Sequence, residues 1–510
     1  MKSIHLCLAA MASLFLGSEG EASWSKYESA HFVIYSQSPA KEVELLGSRL
    51  EKVDALMRLA TSLKDDVEPV KVRIYEVEDN EAVERALDTS NTGIAGFYAN
   101  NGLGPFLVTP KKTDFGQYDF TPELVLHHEY AHHFMLQYFP ANYPFWYVEG
   151  FAELIGSSTI MPDGRIAYGM PAKHRGHDIL ADWMPLSELL LKPPEKIVDF
   201  DTYGQGWAVT HFLTFTKERA LQLRQYLAAI QAGKTSAEAA SAFGDLAKLN
   251  ADARRYVGSG SFAYKPVKVA TREPVIEKVT PISAAEAALI PETIAYSDDD
   301  LSSYRKPAVR ERQRAFRETT LAHIRAKEAQ YPADPFALRL LAEAEAAGGH
   351  DAQSAAAAER LLALSPNDVV GLSRKSLELS MQAGRLTGST KIALVEKARR
   401  LAVQANRIDG TAELPVVAYY QSYHLTGQDA PESAINALAD VLSLRPSDDR
   451  TRNLLVDALA ERGRYAEAIA EIMPIANSTH DSPQRTAARE KMSKLQALLG
   501  KVPATTRVRS

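Results

Sequence analysis

The stretch "PELVLHHEYAHHFMLQYFPANYPFWYVEGFAELIG", residues 122 to 156, restricts the fold of this chain more than any other. Two helical runs, about Glu123–Tyr138 and Trp146–Ser157, are separated by "FPANYP". Its prolines end one helix and start the next, because proline has no N–H and its ring clashes with the preceding turn. So short a connection returns the second helix antiparallel to the first. Upstream, "WSKYESAHFVIYS" alternates into a strand at His31–Tyr35, "VELLGSRLEKVDALMRLA" has a helical period, and "PVKVRIYEV" holds a second strand. "GIAGFYANNGLGPFLVTP" reads as two strands around an Asn-Gly turn at Asn101–Gly102. The expectation for residues 23–258 is an α+β domain, a small mixed sheet with helices packed on it.

A chain of 510 residues is too long for one ordinary core. Its composition changes after residue 258. "GSGSFAYKPVKVATREPVIEKVTPIS" is rich in Pro, Val and Gly, so residues 259–304 are expected to be a linker, as a strand pair or an extended connector open to proteolysis. Residues 305–500 are Ala/Leu-rich and repeat. "DALAERGRYAEAIAEIMPIA" has a helix, Gly463, then a second helix opened by Tyr465 and Ala468. "YYQSYHLTGQDAPESAINALADVLSLRP" has Gly427 and Ala434 in the matching places. Ala434 to Ala468 is a step of 34 residues, the period of tetratricopeptide helix pairs. "LLAEAEAAGGHDAQSAAAAERLLALSPND" resembles a further copy, whereas "LTGSTKIALVEKARR" is irregular and the characteristic tryptophan is missing. An all-α tetratricopeptide-like repeat domain is expected here, the alternative being a non-repeating bundle; residues 501–510 form a tail.

The N-terminus carries an address. Lys2 precedes the apolar run "LCLAAMASLFLG", and Gly20 and Ala22 stand at a cleavage position. Residues 1–22 therefore read as a signal peptide, making the product periplasmic or secreted, the alternative being a buried N-terminal helix. Cys7 is the only cysteine, so the mature chain would have no thiol and no disulfide. No stretch of the mature chain is apolar enough to span a membrane. A net charge of -6, with no long run of one sign, argues against nucleic acid.

His128-Glu129-Tyr130-Ala131-His132 fits H-E-x-x-H. Helix positions four apart share a face, so both imidazoles reach one ion while Glu129 sits beside it. Zinc suits imidazole nitrogen and polarises bound water, whose proton Glu129 can take and pass to a leaving amine. The bland reading is a polar patch on a surface helix, and a third ligand decides between the two. The third and sixth positions past His132 are Met135 and Tyr138, which excludes a Gly-and-His continuation. Glu149, on the following helix, is available instead. Glu153 lies one turn beyond it on the same face, placed to accept a hydrogen bond from a ligand imidazole's other nitrogen.

W-x-x-E-G-x-A-E following H-E-x-x-H resembles the gluzincin zinc metallopeptidases, which share a thermolysin-like catalytic core. More narrowly, the chain is similar to secreted bacterial peptidase-like proteins with tetratricopeptide repeats, also through "HFVIYS" and "YGQGWAVTHFL" (203 to 213). The resemblance covers residues 24 to about 220. It implies Zn2+ on His128, His132 and Glu149, Glu129 as general base, Glu153 behind a ligand histidine, and Tyr203 as the oxyanion-stabilising group. Aminopeptidases of this clan place Gly-x-Met-Glu-Asn before the zinc helix. "GIAGFYANNG" has no acid there, which puts amino-terminal trimming in doubt but leaves edge pairing of a peptide possible.

The other singled-out residues have modest readings. His127 and His133 point off the ligand face, into surface or helix-packing roles. His174 and His177 in "PAKHRGHD" are oxyanion partners or solvated loop residues, and Tyr168 is a further oxyanion candidate. Trp146 and Trp207 are core anchors or cleft walls. Two readings of the whole chain follow. One is a zinc metallopeptidase acting on a peptide or protein substrate, with repeats that bind a protein partner. The other is a periplasmic protein-binding scaffold whose peptidase-like domain is inactive or merely metal-stabilised. Zinc hydrolysis of a non-peptide bond is a third.

Overall fold

A computed structural model describes residues 24–64, 69–87, 96–112, 120–141, 143–181, 183–191, 202–476 and 482–501. The signal peptide and most of the tail expected at the two ends lie outside these residues. The main strands are β1 (Ser25–Glu28), β2 (Phe32–Ser36), β3 (Val72–Val77), β4 (Phe97–Asn101) and β5 (Gly104–Pro110), the last buried along its whole length. Short strands β6 (Thr159–Ile160), β7 (Ile166–Tyr168), β8 (Lys265–Val267) and β9 (Lys278–Pro281) complete the set. Among the described residues the main sheet has the order β4-β5-β3-β2-β1-β9, and a smaller one the order β6-β7-β8. β2, β3 and β5 run parallel, while β1, β4 and β9 are antiparallel to their neighbours.

The hairpin turn lies one residue later than its sequence suggests. Asn101 pairs with Gly104, so the loop is Gly102–Leu103. Asn101 remains in the strand, where its Oδ1 accepts the Leu103 N–H at 3.0 Å, and Gly104 supplies the left-handed φ of 109°.

The sheet is covered on both faces. Phe32, Ile34, Ile74 and Leu107 pack against helix Ala40–Thr61 and helix Pro122–Tyr138, whose inward residues include Leu50, Met57, Leu126 and Phe134. On the other face, Tyr35, Tyr75, Phe106 and Val108 meet Val83, Ile290 and Ile294. The last two belong to helix Ala284–Ala295, inside the segment expected to be a linker. That segment is neither a strand pair nor a free connector. β8 joins the small sheet beside β7, β9 closes the large sheet beside β1, and the helix after β9 is shared between two cores. Its Ala285 and Leu289 face Leu321, Ile324 and Leu340 of the helical region. The local composition shows the prolines but not the sheet edges that these strands complete.

The C-terminal region consists of helix pairs. First helices start at Pro335, Val369, Glu413, Asp449 and Pro483, spacings of 34, 44, 36 and 34 residues. The irregular "LTGSTKIALVEKARR" lies largely in the long helix Gly388–Ile408, which accounts for the widest step. Gly427 and Gly463 take positive φ between paired helices, and Ala434 and Ala468 are fully buried where the second helices cross the first. Because Leu289 and Tyr296 belong to the core of this region, a fragment starting at Ser283 should outlast one starting at residue 305. Thermal melts followed by circular dichroism should differ by about 5 °C or more, the size expected for a few kcal/mol in a chain of this length. Equal melting would show that the shared helix contributes nothing to the repeats.

Candidate metal centre

Thr121 opens the metal helix by accepting the Leu124 N–H on its hydroxyl, with Pro122 in the first turn. The helix then carries His128 and His132 on one face, both buried. Pro144 starts helix Phe145–Gly156, which brings Glu149 against them. His128 Nε2 and His132 Nε2 are 3.1 Å apart, and each is 3.4 Å from Glu149 Oε2. Among the described residues this is the one group of three or more such side chains that could hold a metal ion. A tetrahedral zinc with bonds of about 2.0–2.1 Å separates its ligand atoms by about 3.3 Å. Donor types and spacing therefore fit zinc. Burial alone would depress His132, but the Glu149 carboxylate beside it outweighs burial and pushes it up to about 9. The same pairing holds Glu149 well below the ordinary carboxylate range against its burial.

Glu153 lies behind the group formed by His128, His132 and Glu149. Its Oε1 is 3.6 Å from His128 Nδ1. The structure adds partners that the sequence did not reveal: His174 Nε2 lies 2.7 Å from Glu153 Oε2, and Arg175 Nε and Nη2 lie 2.9 and 2.7 Å from Oε1. Burial alone would raise this carboxyl. The His174 hydrogen bond outweighs it, with the charges of His128 and Arg175, and holds the group at about 2. His174 is thus a buried partner of Glu153, neither solvated nor an oxyanion group; nothing in "PAKHRGHD" reveals this, except that a buried Glu153 demands cations from somewhere.

Tyr203 comes to the site through an unusually close helix crossing. A Cβ on Gly150 would sit 2.3 Å from the Gly206 carbonyl oxygen and from Thr210 Oγ1, so only glycine lets helix Thr202–Phe215 approach. The Tyr203 ring lies nearly parallel to that of His128 at 6.5 Å, and the Arg175 guanidinium sits 4.8 Å above it. Burial, then the Glu149 charge, raises its phenol above the ordinary value, so it stays protonated. Glu129 is outside the ligand triad. Its Oε2 accepts the Tyr98 N–H of β4 at 3.2 Å, which places the edge strand beside the metal centre.

The remaining candidates belong to the core. His127 and His133 are buried, so only the helix-packing half of their reading holds. His133 stacks on Tyr130 and lies 3.2 Å from the Tyr98 hydroxyl. Tyr168 packs on Phe215, while Trp146 and Trp207 are fully enclosed. Behind the metal helix, the Tyr130 hydroxyl donates to Asp54, which also holds Arg58, and His31 bridges Glu51 and Asp54. "HFVIYS" contains that histidine, but its partners lie a helix away in sequence.

Residues 425–492 match the family model of the tetratricopeptide repeat. No curated protein matches the chain. A solved thermophilic TPR protein of Thermus thermophilus is similar at 19% identity and a TM-score of 0.31, covering 36% of this chain and 95% of that one. The tetratricopeptide-like character of the C-terminal region thus rests on the family match and the helix pairs, and repeats of this class present extended concave surfaces to protein partners. No helix among the described residues is long and apolar enough to cross a membrane.

If these three residues hold zinc, the metal must displace the proton that the Glu149 carboxylate favours on His132. Since that pKa is raised, competition strengthens as pH falls. Zinc affinity should therefore drop by up to about tenfold per pH unit from pH 8 to 6. Calorimetric titration of metal-free protein in two buffers of different ionisation heat checks this; an affinity independent of pH would remove His132 from the ligand set.

Proposed function

We propose that the chain is an exported, zinc-dependent peptide hydrolase whose helical repeats engage protein. The observation that carries the hydrolytic part is the convergence of His128, His132 and Glu149 with Glu129 adjacent but uncommitted to the triad. The comparisons support the protein-binding part alone. Zinc held by the three ligands would supply Lewis acidity and bring the pKa of a bound water down to about 7. Glu129 takes the proton of the attacking water and delivers it to the leaving amine nitrogen. The Tyr203 hydroxyl, kept protonated, donates to the developing oxyanion. Glu153, 3.6 Å from His128 Nδ1, acts on that imidazole through its charge, while its hydrogen bonds go to His174 and Arg175. Beyond Tyr98, whose N–H is taken by Glu129, the outer edge of β4 offers main-chain groups at Asn100 to an extended peptide, indifferent to its side chains.

A second reading is a protein-binding scaffold with a structural metal, and the repeat match over residues 425–492 favours it. Export rests on the N-terminal segment, and the mass of the mature protein tests it. The two functional readings separate on glutamate variants. Glu129→Gln should keep zinc and fold while losing about a hundredfold or more of peptide hydrolysis. Glu149→Gln should lose metal as well, because a neutral amide is a poorer ligand. Glu153→Gln should weaken metal binding by about tenfold through loss of the negative charge behind His128. Tyr203→Phe should retain metal and turn over slowly. Elemental analysis and an unbiased peptide library read these outcomes. Stoichiometric zinc with no hydrolysis by the unmodified protein would leave the scaffold standing.

A further inference from the structure

The repeats do not hang free of the metal domain. Asn100 Nδ2 donates to the Ser447 carbonyl at 3.3 Å, and Gln137 Nε2, on the metal helix, to the Leu444 carbonyl at 3.3 Å. The Gly102 N–H donates to Asp298 Oδ1 at 3.2 Å, and Leu103 at the hairpin tip packs against the core of the first repeats. Between these contacts runs one groove of about 1000 Å³. Its volume is at the top of the about 300–1,000 Å³ range of ligand pockets. One wall is β4 and its turn, from Tyr98 to Gly102. The other is formed by the first helices of successive pairs, Glu413–His424, Asp449–Glu461 and Pro483–Lys501.

The lining is charged and unequal: nine carboxylates face six cations, and one of the nine, Glu343, is held from outside the groove by Arg374 at 2.6 Å. Four of the cations are engaged within the groove, Arg445 with Glu413 at 2.6 Å, Lys491 with Asp457 at 2.9 Å, Arg450 with Asp298 at 3.5 Å, and Arg305 with Glu490. Arg317 is turned to the backbone carbonyls of Ala347 and Asp299. Asp299, Asp300 and Asp449 make no ion pair among the described residues; Asp300 accepts from the Ser302 N–H and hydroxyl, Asp299 from the Tyr304 hydroxyl, and desolvation pushes Asp449 up to about 7. Asp448 is 8% exposed, and its Oδ2 lacks a hydrogen-bond partner. Uncompensated carboxylates along a concave wall favour a cationic occupant. The groove's other wall favours an extended one. The Tyr98 N–H points outward to Glu129, so by antiparallel alternation the Asn100 backbone also faces outward.

We propose that this groove binds an extended, lysine- or arginine-bearing segment of the protein substrate and aligns it along β4 toward the metal centre. The inference deepens the hydrolytic reading and rests on it for the word substrate, while the binding itself requires no turnover. The test uses the full chain as Glu129→Gln and two labelled, unstructured twelve-residue peptides that differ only in carrying four lysines or four glutamates. Fluorescence anisotropy should show the lysine peptide binding at least tenfold more tightly, with affinity falling as salt rises. The combined variant Asp299→Asn, Asp300→Asn, Asp449→Asn should lose at least tenfold for that peptide with an unchanged thermal melt. Asp449→Lys alone should reduce the preference between the two peptides. Equal affinity for both, or a triple variant that binds the lysine peptide like its parent, would overturn the proposal. Charge-selective binding to a chain that cleaves no peptide counts against the hydrolytic reading and for the groove; cleavage without charge preference does the reverse.

Discussion

Two carboxylates are buried one turn apart on a single apolar helix: Glu149 is 0% exposed and Glu153 is 1% exposed. Removing the partner of a buried charge costs about 3–5 kcal/mol, so each must be surrounded by cationic or metal-bound groups. That requirement organises the whole region. Glu149 draws His128 and His132 from the preceding helix, and Glu153 draws His174 and Arg175 from a turn about twenty residues downstream. Arg175 in turn covers the Tyr203 ring, so the far helix is tied to the same carboxylate as the ligand histidine. The hydrogen-bonded layer behind His128, His132 and Glu149 is as much a part of the candidate site as those three residues.

What could be read from the sequence follows from the range of the interaction involved. H-E-x-x-H and the Glu149–Glu153 step are fixed by helical period, so both sit where spacing placed them. The Asn101–Gly102 turn was displaced by one residue because the Asn101 side chain closes the loop from inside the strand. Residues 259–304 differ from the expected linker for another reason. β8 and β9 are short, exposed edge strands whose pairing partners, β7 and β1, lie about one hundred and two hundred and fifty residues upstream. Nothing in a local window reports them. His174 takes a role other than the oxyanion or solvated one its sequence offers, and Arg175 has no local signal at all, since both roles are set by a glutamate on another element. His127 and His133 look polar on paper, yet helix Pro122–Tyr138 is sandwiched between the sheet and its partner helix, and both become buried.

The glycines at the crossing of helices Phe145–Gly156 and Thr202–Phe215 show how local choice and long-range geometry meet. Gly150 and Gly206 leave the backbones almost touching, which a layer of ordinary side chains between the helices would forbid. A wider crossing would carry Tyr203 outward and loosen the cover that Arg175 forms over it. "EGFAE" and "YGQGW" are therefore parts of one contact, although more than fifty residues of sequence separate them.

The attachment of the repeats has a mechanical consequence. Helix Ala284–Ala295 gives Ile290 and Ile294 to the sheet and Leu289 to the repeats, and the hairpin tip inserts Leu103 into the same repeat core. Two separate anchors hold the helical array against the metal domain. An array joined by a flexible linker would raise the local concentration of a bound protein without orienting it. Anchored as it is here, with Gln137 of the metal helix bonded directly to the Leu444 carbonyl, the array fixes the direction from which an extended chain can approach β4. On the proposed reading, binding along the repeats and alignment at Glu129 would be one geometric event, because the strand that meets this carboxylate is also a wall of the groove.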